Sequence, residues 1–142
     1  LVPGGWAPDK LRRDPNILTL VRDMDTSGKI LGFICHAGWV AASAGICQGK
    51  RATGSSGIKD DMENAGAIWV DEPALREENM VWGRVVVDIP DYCRELIKAL
   101  LANLPSSAWE HRICIPRHLE HASKAFLALR VSSEASHFTR WM

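Results

Sequence analysis

The sequence predicts one α/β domain: a doubly wound parallel sheet with helices on both faces. Three observations carry this. Short apolar runs of strand type alternate with helical segments through short loops. Gly28, Gly45 and Gly66 each close a helical pattern just before the next apolar run. The 142 residues, 46% of them hydrophobic, have room for one domain with one core. The pattern occupies residues 1–104; residues 105–142 read as a divergent tail.

The elements follow in order. Leu1-Val2 reads as a strand ending that runs into a tight Pro3-Gly4-Gly5 turn. Asp14-Pro15 sets an N-cap before a proline at the first helical position, and Ile17, Leu18, Val21 and Met24 continue at helical spacing to Gly28. Ile30 to Ile34 is a buried-type strand that ends at Cys35 and His36. Val40, Ala41, Ala42 and Ala44 suit a helix stopped by Gly45. Lys50 to Thr53 makes a short strand, Ser56 caps a polar helix from Ile58 to Ala65, and Ala67 to Val70 returns to strand. Met80 to Val87 is a further β-like run. Asp88 and Pro90 then open a helix with an apolar stripe of Tyr92, Leu96, Ile97, Leu100 and Leu101. In the tail, Leu119, Ala122, Phe126 and Leu129 fit one amphipathic helix.

Composition narrows the function. Seventeen basic and 17 acidic residues give zero net charge, without the basic excess that nucleic-acid binding demands. No apolar run approaches the ~20 residues needed to cross a bilayer, and the first residues lack the pattern of a signal peptide. The four cysteines (Cys35, Cys47, Cys93, Cys114) have no metal-finger spacing, so a reducing cytoplasm is the expected location. The chain starts without methionine in the middle of a strand ending, which predicts missing residues upstream.

The candidate chemistry lies at Cys35. An apolar strand, a nucleophile and an immediate helix are the context of a nucleophile elbow. That geometry lifts the sulfur above the carboxyl ends of the strands, where α/β ligands bind. The helix start favours a thiolate, and the backbone N–H after the nucleophile faces a developing oxyanion. Ala37 and Gly38 are as small as the turn requires. A buried structural cysteine is the plainer reading of Cys35 and weighs slightly more on residues alone. For Cys47, Cys93 and Cys114 the inert reading is clearly preferred.

Ile34-Cys35-His36, preceded by Pro3-Gly4-Gly5-x-Ala7-Pro8-Asp9, resembles the PfpI family of intracellular cysteine peptidases, within the superfamily of the parkinsonism-associated protein deglycase. Ser43-Ala44-Gly45 with Gly49-Lys50-Arg51, Ile58-Lys59-Asp60-Asp61-Met62-x-Asn64-Ala65-Gly66-Ala67, Trp69-Val70-Asp71 and Cys93-Arg94 extend the match over residues 1 to 101. The resemblance implies a flavodoxin-like fold, Cys35 as nucleophile and His36 as its general base. It implies oxyanion-hole N–H groups from Gly5 and His36. It also implies a role for Asp9, which in hexameric relatives reaches the histidine from a neighbouring subunit; helix capping after Pro8 is the plainer alternative. Three departures accompany it. Ala37-Gly38 stand where the family has glycine-proline. Gly83-Arg84-Val85-Val86-Val87-Asp88 stand for serine-arginine-x-proline-aspartate. The family's first strands, roughly 60 residues or about two βαβ units and including a glutamate that contacts the cysteine, are absent.

The leading function is a cysteine-dependent hydrolase, peptidase or deglycase or glyoxalase-like, acting on small carbonyl-derived or peptide substrates as a homo-oligomer, dimer or hexamer, and requiring no cofactor. A second is a redox-sensing or chaperone-like stress protein that uses the same oxidisable cysteine. His118-Leu119-Glu120 mimics the histidine-x-glutamate of glutamine amidotransferases, but Phe33 and Ala37 replace the glycines that class places around its cysteine. A metal site from Cys114, His118, His121 and His137 is weaker than a reading of them as solvated side chains.

Overall fold

The computed structural model describes residues 1–104; the tail helix expected around Leu119–Leu129 and the residues Cys114, His118, His121 and His137 lie outside the described residues. Local chemistry sets the first long helix. The Asp14 carboxylate accepts the Asn16 N–H at 2.9 Å and so caps α2 (Pro15–Thr26). At its other end the Gly28 and Lys29 N–H groups reach back to the Asp25 and Met24 carbonyls, a closure that needs the left-handed Gly28 (φ 64°). A short helix, α1 (Ala7–Leu11), precedes it. It has five residues and a proline, too few to show an apolar period, which is why the sequence pattern passes over it.

Strand β1 (Leu31–Ile34) pairs in parallel with β5 (Met80–Gly83), and β4 (Ala74–Glu77) adds to β5 antiparallel, giving the order β1-β5-β4. On the far side of β1, Val2 forms a parallel bridge to Phe33, and its N–H donates to the Gly32 carbonyl at 2.8 Å. Leu1-Val2, read as a strand ending, forms this isolated bridge outside the named strands. A separate parallel pair joins β2 (Arg51–Ala52) to β3 (Ile68–Trp69). Helix α3 (Gly38–Ala44) follows β1, α4 (Lys59–Asn64) lies between β2 and β3, and α5 (Ile89–Ala102) follows β5.

Strand alternation divides the core between two faces. Leu31, Phe33, Met80 and Trp82 point to the side of α2, α3 and α4, where Val21, Val40, Ala41, Ile58 and Met62 bury against them. Phe33 and Trp82, registered across the parallel pair, stack at 4.7 Å. Val81 points the other way, to Tyr92, Leu96 and Ala99 of α5. Helices therefore cover both faces, and the α/β doubly wound class holds. The antiparallel β4 is an addition to the parallel expectation.

Three local readings change. The run from Met80 to Val87 leaves the sheet at Gly83: the Arg84 N–H turns to the Pro73 carbonyl, and Val86–Asp88 form a 3₁₀ turn. The β preference of three valines yields to the need to bring the chain back over the sheet as α5. Ser56 does not cap α4 through its side chain; it begins a 3₁₀ turn, Ser56–Ile58, that leads into the helix. In α5 only Tyr92 and Ala99 bury fully, with Leu96 partly so, a single i, i+4, i+7 line. Ile97, Leu100 and Leu101 lie off that line and stay exposed.

Candidate active site

Cys35 follows β1 directly and opens a helical segment, a 3₁₀ turn over Cys35–Ala37 continuing into α3. Its φ is 59°, the left-handed region that costs a non-glycine residue about 1–2 kcal/mol. The surroundings hold it there. A Cβ on Gly4 would lie 2.8 Å from the Cys35 Cβ, and one on Gly54 would lie 2.8 Å from the Cys35 carbonyl oxygen. That carbonyl accepts the Ser55 N–H at 3.1 Å. On the inner side, Gly38 packs on Ile58 and Met62, where a Cβ would be 2.8 Å from each, and Ala37 is wholly buried. Small residues at 4, 37, 38 and 54 thus let three segments converge on one strained residue.

The pair expected at the elbow is brought together. Cys35 Sγ lies 3.1 Å from His36 Nδ1, both side chains partly exposed, and the tautomer decides which atom donates. Gly5, in the left-handed region at φ 66°, sits next to Gly4 in the turn packed against Cys35. Asp9 is not brought to His36 within the chain. It lies in the first turn of α1, after Trp6 at the N-cap, and its carboxylate binds Arg13 at 2.8 Å in a pair open to solvent. The capping alternative for Asp9 fails, because that place is one turn earlier.

The carboxyl ends of β2, β3 and β5 add residues that the sequence reading did not single out. Gly54, Ser56, Lys59, Trp69, Asp71, Arg84 and Val85 line a cleft of about 430 Å³; Cys35 and His36 do not line it, and Gly54, packed on the Cys35 carbonyl, is the residue that adjoins both. Arg84 is fixed there by Asp88 (3.0 Å) and Asp71 (2.8 Å), whose hydrogen bonds hold its guanidinium firmly charged. Spacing carries no signal for this set, which three separate chain segments supply.

The other described cysteines differ from Cys35. Cys47 is buried, and desolvation pushes its thiol up to about 12, with Lys50 lowering and Asp25 raising it by smaller amounts. Cys93 is exposed on α5. Among the described residues no group of three His, Cys, Asp or Glu side chains is placed to hold a metal ion, and no helix is long and apolar enough to cross a membrane.

The DJ-1/PfpI family model matches residues 1–99. A deglycase of Pyrococcus horikoshii is 39% identical over 100 residues, which cover 70% of this chain and 60% of the relative. General stress protein 18 of Bacillus subtilis is 38% identical over 101 residues, covering 70% and 59%. Among solved structures, a two-domain protein of Anabaena variabilis with DJ-1/ThiJ/PfpI-like and ferritin-like domains superposes with a TM-score of 0.68 at 35% identity, over 70% of this chain and 29% of that one. The chain spans about 60% of the length of the curated relatives it matches.

Proposed function

The chain belongs to the DJ-1/PfpI family, and from that premise we propose a cysteine-dependent hydrolase of deglycase type with Cys35 as nucleophile and His36 as its base. The observation that carries this reading is the strained Cys35 with His36 Nδ1 3.1 Å from its sulfur. Relatives named deglycases support the substrate class, a carbonyl-derived adduct; peptide bonds are the other substrate the same chemistry admits.

In the first step His36 takes the thiol proton and Sγ adds to the electrophilic carbonyl carbon. The C=O π pair moves onto oxygen, where the N–H groups of Gly5 and His36 receive it. In an amide or thioester the leaving group sits on the attacked carbon, so collapse expels it with the proton from His36 and water hydrolyses the thioester left on sulfur. In a carbinolamine adduct the amine sits on the neighbouring carbon, and it departs with a proton when the carbinol O–H is deprotonated and its C=O re-forms. The 430 Å³ cleft beside Gly54 receives the substrate, with Trp69 and Val85 as its apolar wall and Ser56, Lys59, Asp71 and Arg84 as its polar contacts. A homo-oligomer, dimer or hexamer, in the cytoplasm completes the reading: Asp9, exposed on α1, meets His36 of a neighbouring copy and orients its ring.

Alkylation at mildly acidic pH, mapped by mass spectrometry, tests the thiolate. Cys35 should label first and Cys47, raised to about 12 by burial, last among the described cysteines. Labelling of Cys47 or Cys93 ahead of Cys35 would sink the assignment. Cys35→Ala should lower turnover of methylglyoxal-derived adducts by at least about a thousandfold.

A second reading, a stress protein that senses oxidants through Cys35, draws support from the relationship to General stress protein 18. His36→Ala separates the two, since a sensor keeps its biological effect without the base and a hydrolase does not.

A further inference from the structure

A nucleophile–base pair works when a third group fixes the base. Among the described residues, His36 has Cys35 as its side-chain hydrogen-bond partner, and Asp9 of the same chain is held by Arg13. The ring contact comes from another direction. Trp39, one helical turn after His36, lies with its ring centroid 5.2 Å from that of the imidazole at an interplanar angle of 54°. Two other elements anchor the indole. Its Nε1–H donates to Asp61 Oδ2 of α4 at 2.7 Å, and the Arg12 guanidinium at the end of α1 lies 5.6 Å from the ring centroid, itself fixed by donating from Nε to Ser43 Oγ at 2.9 Å.

We propose that Trp39 is a positioning residue for His36: its anchored indole holds the imidazole so that Nδ1 stays on Cys35 Sγ. This inference rests on the reading of Cys35 and His36 as a working pair. The indole restricts rotation of the imidazole on one side, and the two rings meet at the tilted angle that aromatic pairs favour. Among the described residues, Arg12 at the C-terminal end of α1 and Asp61 of α4 are the charged groups that contact the indole. Arg12 and Asp61 join the indole from different elements, so the indole keeps its place while the partly exposed histidine is constrained by it.

The test is the rate of Cys35 alkylation by iodoacetamide at pH 6 and pH 9 in the wild-type chain, Trp39→Ala, Trp39→Phe, His36→Ala and Trp39→Ala/His36→Ala, with melting temperatures recorded alongside. Trp39→Ala should react about tenfold more slowly at pH 6, below the ~100-fold that a 1 Å misplacement can cost, and like wild type at pH 9, where solvent base replaces His36 in taking the proton. Trp39→Phe, which keeps a ring face, should recover most of the rate. Adding Trp39→Ala to His36→Ala should slow the reaction no further, because the tryptophan acts through the histidine. If Trp39→Ala fails to fold, Asp61→Ala, which frees the indole N–H, should show a smaller loss confined to pH 6. An unchanged rate at pH 6, an equal loss at both pH values, or a full further loss on the His36→Ala background would overturn the inference. If His36→Ala itself reacts like wild type at pH 6, the pair reading falls and this inference with it.

Discussion

Two adjacent strands of the sheet, β1 and β5, end in register at Ile34 and Gly83, and each runs through a 3₁₀ turn into a helix. The plan is the same, and the two turns have opposite characters. After β1 the chain enters the left-handed region at Cys35 and is hemmed in by Gly4, Gly38 and Gly54, with Ala37 wholly buried. After β5 it stays extended at Val85 (φ −148°) and turns through Val86 and Val87, which are 71% and 80% exposed. The second turn is held by side chains, with Arg84 tied to Asp71 and Asp88. The first is held by backbone fitted against backbone. The contrast teaches that strand–turn–helix geometry alone does not strain the turn; the added element at Cys35 is a left-handed backbone, maintained by glycines that admit neighbouring segments.

Gly54→Ala should break the comparison most sharply. Its Cβ meets the Cys35 carbonyl, a backbone atom that cannot swing aside, so the elbow must shift. A loss of about 2 kcal/mol is expected from overpacking, read by denaturant unfolding, together with loss of preferential Cys35 alkylation. Unchanged stability and labelling would show that the elbow has slack. A smaller effect separates the two turns directly. Cys35→Gly should be about 1 kcal/mol more stable than Cys35→Ala, because glycine accepts φ 59° without penalty. Val85→Gly, at an extended residue, should instead destabilise by about 1 kcal/mol. Equal responses at the two sites would remove strain as the distinguishing feature. The smallest effect is expected from Val86→Ser with Val87→Ser, two solvent-facing changes that should alter stability by less than ~0.5 kcal/mol. A large drop in the melting temperature would mean that this exposed turn is covered in solution.

Punctuation made much of the fold legible. Asp14 and Pro15 open α2, Gly28 closes it, and Gly45 (φ 73°) and Gly66 (φ 84°) stop the segments they were expected to stop. The β1 strand, the elbow at its end and the pairing of Cys35 with His36 follow from neighbours in sequence. Elements that depend on distant partners were not legible. Ala74–Glu77 shows no apolar alternation to announce β4, which exists because β5 offers an edge. The end of β5 at Gly83 reflects Tyr92, whose ring occupies the space a side chain there would need. Trp39 was readable as part of α3 and at i+3 from His36, a spacing that signals contact on a helix. Its role as a hub between α1 and α4 was not.

By itself the sequence determined the α/β class, the helix ends and the position of Cys35 between an apolar strand and a helix. These are local matters, decided by caps, glycines and the period of apolar residues within about one or two turns of chain. Tertiary structure alone decided that Cys35 sits at φ 59°, that Gly4 and Gly54 close on it from separate loops, and that Ser56, Lys59, Trp69, Asp71 and Arg84 share one cleft. Residues 4, 35 and 54 meet because the segments after the Val2 bridge, β1 and β2 converge at one place. Sequence spacing holds no record of which chain ends the sheet will gather, so strain and cleft emerge only when the layers pack.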